Sequence, residues 1–452
     1  MSSQTATPPT WDLDVLVSGG PGGPAFSTRR DTLRQRLEEA AARVAALGAV
    51  ADDPAGWAQL IVTLTQLDDD LGDLSSFAGC ASAVDARSEA ARAAEGDADE
   101  LERQRKLVVV ALDATLDAAP DAAFDALLAR PELADHAAAL RHQRAGKRLR
   151  LPPALQALKV AMDREALTAW GRLYDQISGT LTAELALPGQ EPRRVGIAEV
   201  AALRADPDPE VRARASAAGA AAWGSVRDLC AHTLTQIVGA RQQHNDRLGV
   251  DELAYTMHGN RVDAALLDAM WAAADAARPA LVRYLRHKAT LLGKERLDWY
   301  DVEAPVGSSD RRWAWGDATR DILGAFGGFH PELATFAGEA LDGRWVDALP
   351  REGRLPGGFC AGFREAGQSR IFMTFTGTLD NATTLAHELG HAYHNRVLDA
   401  EPSARCALTS ALAETASTFA EAIFRDRLLA TAPTTRSAPS CSTSSCRPPP
   451  PS

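Results

Sequence analysis

His387-Glu388-Leu389-Gly390-His391 is the stretch of this sequence that says most about its fold and chemistry. An α-helix turns by about 100° per residue, so His387 and His391 lie about 40° apart on one face. Their imidazoles can therefore bind one metal ion together, and this donor type favours zinc. Glu388 lies about 60° from His391 on the same half of the helix, where it can reach a water on that metal. The spacing predicts a zinc site with Glu388 as general base.

A catalytic zinc site needs a third protein ligand and one open position. One class of metallopeptidase takes a third histidine from the same segment, in the pattern H-E-x-x-H-x-x-G-x-x-H. Here His394 stands at the glycine position and Val397 at the last histidine position, so this pattern does not apply. A glutamate on the next helix is the other source. The helical segment 411–422 offers Glu414 and, two turns later, Glu421. We expect Glu414 to be the ligand, with Glu421 as the weaker candidate or as a residue that supports the ligands.

The rest of the chain predicts a mainly α fold with a small β-sheet beside the zinc helix. Apolar residues recur at helical spacing over residues 31–47, 90–116 and 210–247. Two short runs rich in aromatic and β-branched residues, 359–363 and 370–376, predict strands. The zinc helix is expected over residues 381–398, with Asp380 or Asn381 as its cap.

Composition changes predict four regions along the 452 residues. Residues 1–30 form a polar N-terminal segment, and residues 31–190 a helical N-terminal domain that ends in the Pro/Gly-rich stretch 187–194. Residues 191–430 form a zinc-binding catalytic domain. Residues 431–452 are rich in Ser, Thr, Pro and Cys, which predicts a disordered tail.

Charge and cysteine usage exclude several classes of partner. The net charge of −12 argues against a nucleic-acid partner and against docking on an anionic membrane. No secretory signal and no apolar span long enough for a bilayer stand in the sequence. The six cysteines are scattered without metal-binding spacing, which favours reduced thiols and a cytoplasmic location.

The zinc motif and its surroundings resemble the oligoendopeptidase F branch of the thimet oligopeptidase family. The resemblance rests on TLDNATTLAHELGHAYH at residues 378–394, AETASTFAE at 413–421, and the strand-like GGFCAGF at 357–363 and SRIFMTFTGT at 369–378. Weaker similarity extends over roughly residues 30–428. The resemblance implies a helical zincin-type peptidase with a deep channel that cleaves short peptides. It implies one Zn²⁺ per chain on His387, His391 and Glu414, with Glu388 as base.

The same resemblance suggests how a peptide would bind. The strand 370–376 is expected to pair with an extended substrate through its backbone, a mode that tolerates many side chains. The predicted substrate-binding residues are Phe372, Met373, Thr374 and Phe375 of this strand, together with Gly377, which follows it.

The sequence departs from the family after the zinc ligands. Members carry downstream His and Tyr residues that stabilise the oxyanion, whereas the last such residues here are Tyr393 and His394. We therefore expect the C-terminal part of the family fold to be missing, through a reading-frame shift near residues 429–433, and the peptidase to be impaired. One alternative is an inactive zinc protein that binds peptides or partners. Another is a metal-free helical scaffold with a chance motif.

Overall fold

The computed structural model describes residues 7–306 and 313–431, and these are mainly helical, which confirms the predicted fold class. The predicted tail at 431–452 lies outside the described residues except for Thr431. The predicted helices at 31–47, 90–116 and 210–247 are present: the first begins seven residues earlier and ends one residue earlier, and the other two extend by one or two residues at each end. Among the described residues, no helix is long and apolar enough to span a membrane.

The N-terminal region is a stack of helices on one apolar core. Its helices are α1 Pro24–Ala46, α2 Pro54–Val84, α3 Glu89–Ala118, α4 Asp121–Leu128, α5 Ala137–Ala145, α6 Pro153–Asp163 and α7 Ala169–Thr180. Trp57 and Phe77 of α2 are fully buried in this core, and burial of each such side chain contributes on the order of 1.5–3 kcal/mol. Trp11 and Val17 also pack into it, so the segment predicted as polar, residues 1–30, supplies core residues.

The middle of the chain begins with a hairpin. Strands β1 Thr182–Leu185 and β2 Arg193–Gly196 are antiparallel, and the helices α8 Ile197–Ala202, α9 Pro209–Leu248, α10 Leu253–Asn260 and α11 Ala264–Leu291 follow. Both strands pack with α8 and α9 in one small core. The domain boundary predicted at residues 190/191 therefore lies in the loop of this hairpin, and the division into domains stays a prediction.

The C-terminal region surrounds a three-stranded sheet. It consists of α12 Trp315–Phe329, α13 Pro331–Asp342, β3 Val346–Asp347, β4 Phe359–Phe363, β5 Gln368–Phe372, α14 Leu379–Asp399 and α15 Ser410–Thr431. The strand order is β3-β5-β4, with β5 parallel to β3 and antiparallel to β4. The sheet lies beside α14, as predicted. Strand β5 ends at Phe372, four residues before the predicted end.

Helix α14, which carries the zinc motif, has a well-defined start. The Thr378 side chain accepts a hydrogen bond from the Asn381 backbone N–H, and the two residues form a capping box. The Asn381 Oδ1 also accepts a hydrogen bond from the Thr376 backbone N–H at 2.7 Å. The cap is therefore Thr378, and the prediction of Asp380 or Asn381 as the cap is corrected. The helix begins at Leu379, two residues before the predicted start, because the turn at Gly377, with a φ of 86°, immediately precedes the cap.

Candidate metal centre

Helices α14 and α15 bring three potential metal ligands together. Glu414 Oε2 lies 3.4 Å from His387 Nε2 and 3.5 Å from His391 Nε2. Zinc binds nitrogen and oxygen at about 2.0–2.2 Å, and two ligands of a tetrahedron at that distance are about 3.4 Å apart. Two imidazoles and one carboxylate are also a donor set that suits zinc. Among the residues that the structure describes, this is the one such group of three, so the residues fit the ion implied by the motif.

Glu421, the weaker candidate for the ligand, supports the ligand His387 instead. Its Oε1 lies 2.7 Å from His387 Nδ1, and its Oε2 accepts a hydrogen bond from Arg425 at 2.8 Å. A carboxylate on Nδ1 orients the ring and keeps Nε2 available for a metal. This hydrogen bond raises the pKa of His387, whereas burial lowers the pKa of His391. The two histidines thus have different surroundings.

Glu388 lies in a buried position beside the ligands. Its side chain is 4% exposed, and its Oε2 has no hydrogen-bond partner among the described residues. Burial raises the pKa of Glu388 to about 7, while His387 opposes and Glu414 reinforces that rise. An unpaired buried carboxylate oxygen is costly unless another group or a water satisfies it. The orphaned oxygen fits a residue that faces a water at the metal.

The exposed end of strand β4 meets this glutamate. A Cβ placed on Gly358 would lie 3.2 Å from Glu388 Oε1, so the absence of a side chain allows this close approach of the backbone to the glutamate. The run of glycines before β4 could have signalled this close approach.

The strand order limits where a peptide could pair with residues 370–376, and this pairing stays a prediction. Strand β5 is central, and the N–H groups of Met373 and Phe375 donate to the carbonyls of Asp347 and Ala348. The side chains of Phe372, Met373 and Phe375 are buried in the core. Gly377 accepts a hydrogen bond from the Trp313 N–H at 2.9 Å, and Thr374 is partly buried. The strand β3, only two residues long, was not predicted, and it occupies one side of residues 371–375.

Among the residues that the structure describes, β4 has a neighbouring strand on one side only and is the free edge of the sheet. The N–H groups of Ile371 and Met373 point to the β3 side, so those of Arg370 and Phe372 face β4. Their partners on β4 are Ala361 and Phe359. The backbone groups of Cys360 and Gly362, which alternate with these, therefore point away from the sheet. This edge begins beside Glu388.

Comparison with known proteins agrees with this arrangement. Residues 329–438 match the model of Peptidase family M3. The chain is 30% identical over 155 residues to the Group B oligopeptidase PepB of Streptococcus agalactiae, a match that spans 33% of this chain and 25% of that protein. It is 28% identical over 155 residues to the oligopeptidase PepF of Bacillus subtilis, over 33% of this chain and 23% of that protein. The chain thus matches about a quarter of the length of these relatives.

Solved structures show the same fold over a larger part of the chain. An oligoendopeptidase F from Enterococcus faecium aligns with a TM-score of 0.63 at 16% identity, over 90% of this chain and 68% of that one. PZ peptidase A, solved with an inhibitor, aligns with a TM-score of 0.69 at 16% identity, over 88% and 69%. Fold and site together define a mainly helical protein with a candidate metal site on two neighbouring helices. Residues 329–438 are thus similar to Peptidase family M3, and the chain shares its fold with oligoendopeptidase F structures.

Proposed function

We propose that this protein is a zinc-dependent oligopeptidase that hydrolyses short peptides in the cytoplasm, with zinc on His387, His391 and Glu414. The observation that carries the proposal is the convergence of these three ligand atoms with the unpaired oxygen of Glu388. The relatives that match about a third of this chain are named as oligopeptidases, which supports the same class of substrate.

The chemistry divides between the ion and the chain. When bound, zinc supplies a Lewis acid that polarises the peptide carbonyl and acidifies a water. Glu388 accepts the proton of that water and can return it to the leaving amine. Glu421 holds His387 in the orientation that presents Nε2.

The free edge of β4 is the surface on which we place the peptide. An extended peptide beside Cys360 and Gly362 can exchange backbone hydrogen bonds with their outward groups. The same edge starts at Gly358, next to Glu388. The backbone of a peptide that pairs with β4 would therefore extend to the general base. Backbone pairing is compatible with substrates of varied sequence.

Cleavage of an internally quenched fluorescent peptide tests the proposal. We expect hydrolysis by the wild type, loss of hydrolysis on chelation, and recovery on adding zinc. Glu388→Gln is expected to lower kcat by at least about a hundredfold, because the base is removed, while zinc remains bound. Glu295→Gln, on an exposed side chain, is the matched control and should keep wild-type activity.

The results separate the proposal from its alternatives. Chelator-insensitive cleavage, or full activity in Glu388→Gln, would contradict a zinc peptidase with this base. Zinc at one per chain with no cleavage by the wild type would favour the inactive zinc-binding protein. No bound zinc and no cleavage would favour a scaffold with a chance motif.

A further inference from the structure

The two ligand-bearing helices approach most closely at Gly390. A Cβ on this residue would lie 2.7 Å from the Ala420 Cβ, 2.8 Å from the Ala416 carbonyl oxygen and 3.0 Å from the Ser417 Cα. Two of these three atoms belong to the backbone of α15, so no change of side-chain rotamer can relieve the contact. Any side chain at position 390 therefore pushes α14 and α15 apart.

This contact lies next to the third ligand. Ala416 and Ser417 follow Glu414 by two and three residues on the same helix, and Gly390 directly precedes His391. A shift of this turn of α15 therefore displaces the Glu414 carboxylate from Nε2 of both histidines. Zinc–ligand distances tolerate only about 0.2 Å, and a carbon atom needs about 3.5–4.0 Å from its neighbours. The displacement that a methyl group demands thus exceeds what the site can absorb.

Ser417 supports the same geometry. Its side chain is fully buried, and its Oγ lies 2.8 Å from Glu414 Oε2, the oxygen that faces the histidines. The Glu414 side chain is otherwise 56% exposed. The close helix contact therefore fixes the backbone of the ligand, and the serine fixes its carboxylate.

We propose that Gly390 is a positioning residue that sets the spacing of α14 and α15 and so allows Glu414 to complete the metal site. The inference rests on the proposed zinc site. It adds to that proposal a residue that contacts neither the metal nor the substrate. This residue influences zinc binding only through the spacing between the two helices.

Zinc affinity measured by competition with a chromophoric chelator tests this role. Gly390→Ala is expected to bind zinc at least about tenfold more weakly, the effect seen when groups that support metal ligands are changed. Gly338→Ala is the matched control, because it also lies within a helix but a Cβ there meets nothing within 4 Å. The control should keep wild-type affinity and equal or higher thermal stability, as a helical Gly→Ala change without a clash does.

A second variant covers the case in which Gly390→Ala does not fold. Gly390→Ala with Ala420→Gly removes the closest contact but keeps the one to the Ala416 carbonyl, so zinc binding should lie between the single variant and the wild type. The Co²⁺ forms should report the same order through the intensity of their visible d–d bands, independently of peptide cleavage. Affinity within twofold of wild type in either folded variant would overturn the positioning role. Absence of zinc from the wild type would instead contradict the proposed function itself.

Discussion

At the scale of single residues, the metal centre depends on side chains that do not contact the metal. Glu421 bridges His387 Nδ1 and Arg425, so it connects the imidazole to a cation on its own helix. The histidine pair could be predicted from spacing, because i and i+4 positions share a helix face. Glu414 was the expected ligand, but Glu421 stayed open as a weaker candidate or a supporting residue, because the sequence does not show which glutamate faces Nδ1 and which faces Nε2.

Removal of the charge on Glu421 is expected to weaken the metal site. Glu421→Gln keeps the size of the side chain but loses the carboxylate that orients His387, and we expect zinc affinity to fall about 10- to 100-fold. The chelator competition measures it, with Glu401→Gln, on an exposed side chain, as control. Equal zinc affinity in Glu421→Gln and wild type would show that this hydrogen bond does not support the ligand.

At the scale of secondary-structure elements, α2 of the N-terminal region holds the turn between β4 and β5. The buried Asp73 carboxylate accepts the backbone N–H groups of Arg364 at 2.8 Å and Glu365 at 3.0 Å. Burial raises the pKa of Asp73 from 3.8 to about 6, although the hydrogen bond from Arg364 opposes the rise. The strand that forms the free sheet edge is thus anchored by a residue nearly three hundred positions earlier in the chain.

This anchor predicts a pH-dependent difference in stability. Between about pH 4 and pH 6, folded Asp73 retains a proton that the unfolded chain releases, so the stability this group contributes falls as the pH rises through that window. Asp73→Asn does not titrate there. The melting temperature of the variant minus that of wild type should therefore increase from about pH 4 to about pH 7. Thermal scans of both proteins check this, with the exposed Asp228→Asn as control; a pH-independent difference would contradict it.

The elements themselves were partly predictable. Strand β4 was predicted with its observed bounds, because a short apolar run with a phenylalanine at each end follows two glycines. The order of the strands was not predictable, because it depends on the short pairing of Val346 and Asp347 with β5 across more than twenty residues. The close contact at Gly390 is equally invisible in the sequence, because a glycine inside a helix reveals its neighbour only after the helices pack.

At the scale of the whole molecule, a buried ion pair connects the long middle helices to the segment that leads into the C-terminal region. Arg212 of α9 donates to Asp301 at 2.8 Å, and both side chains are almost inaccessible. Lys294 also pairs with Asp301. Nearby, Lys288 donates to the Val302 carbonyl, and burial lowers the pKa of this lysine to about 8.

Removal of one partner should destabilise the molecule strongly. Asp301→Asn leaves Arg212 buried without its counter-charge, and we expect a loss of about 3–5 kcal/mol in the free energy of unfolding. Arg212→Met with Asp301→Leu removes both charges and should cost less than the single change. Urea unfolding of the three proteins measures this. A double variant less stable than Asp301→Asn would contradict the view that the unpaired charge is the main cost.

The central claim is that His387, His391 and Glu414 form one zinc site, and the zinc content of the purified protein by elemental analysis tests it most directly. We predict one zinc per chain in the wild type and in His330→Ala, a change at an exposed histidine. We predict less than one tenth of that content, about a tenfold loss or more, in His387→Ala and in His391→Ala after the same dialysis. Wild-type protein without zinc, or histidine variants that retain a full equivalent, would contradict the claim.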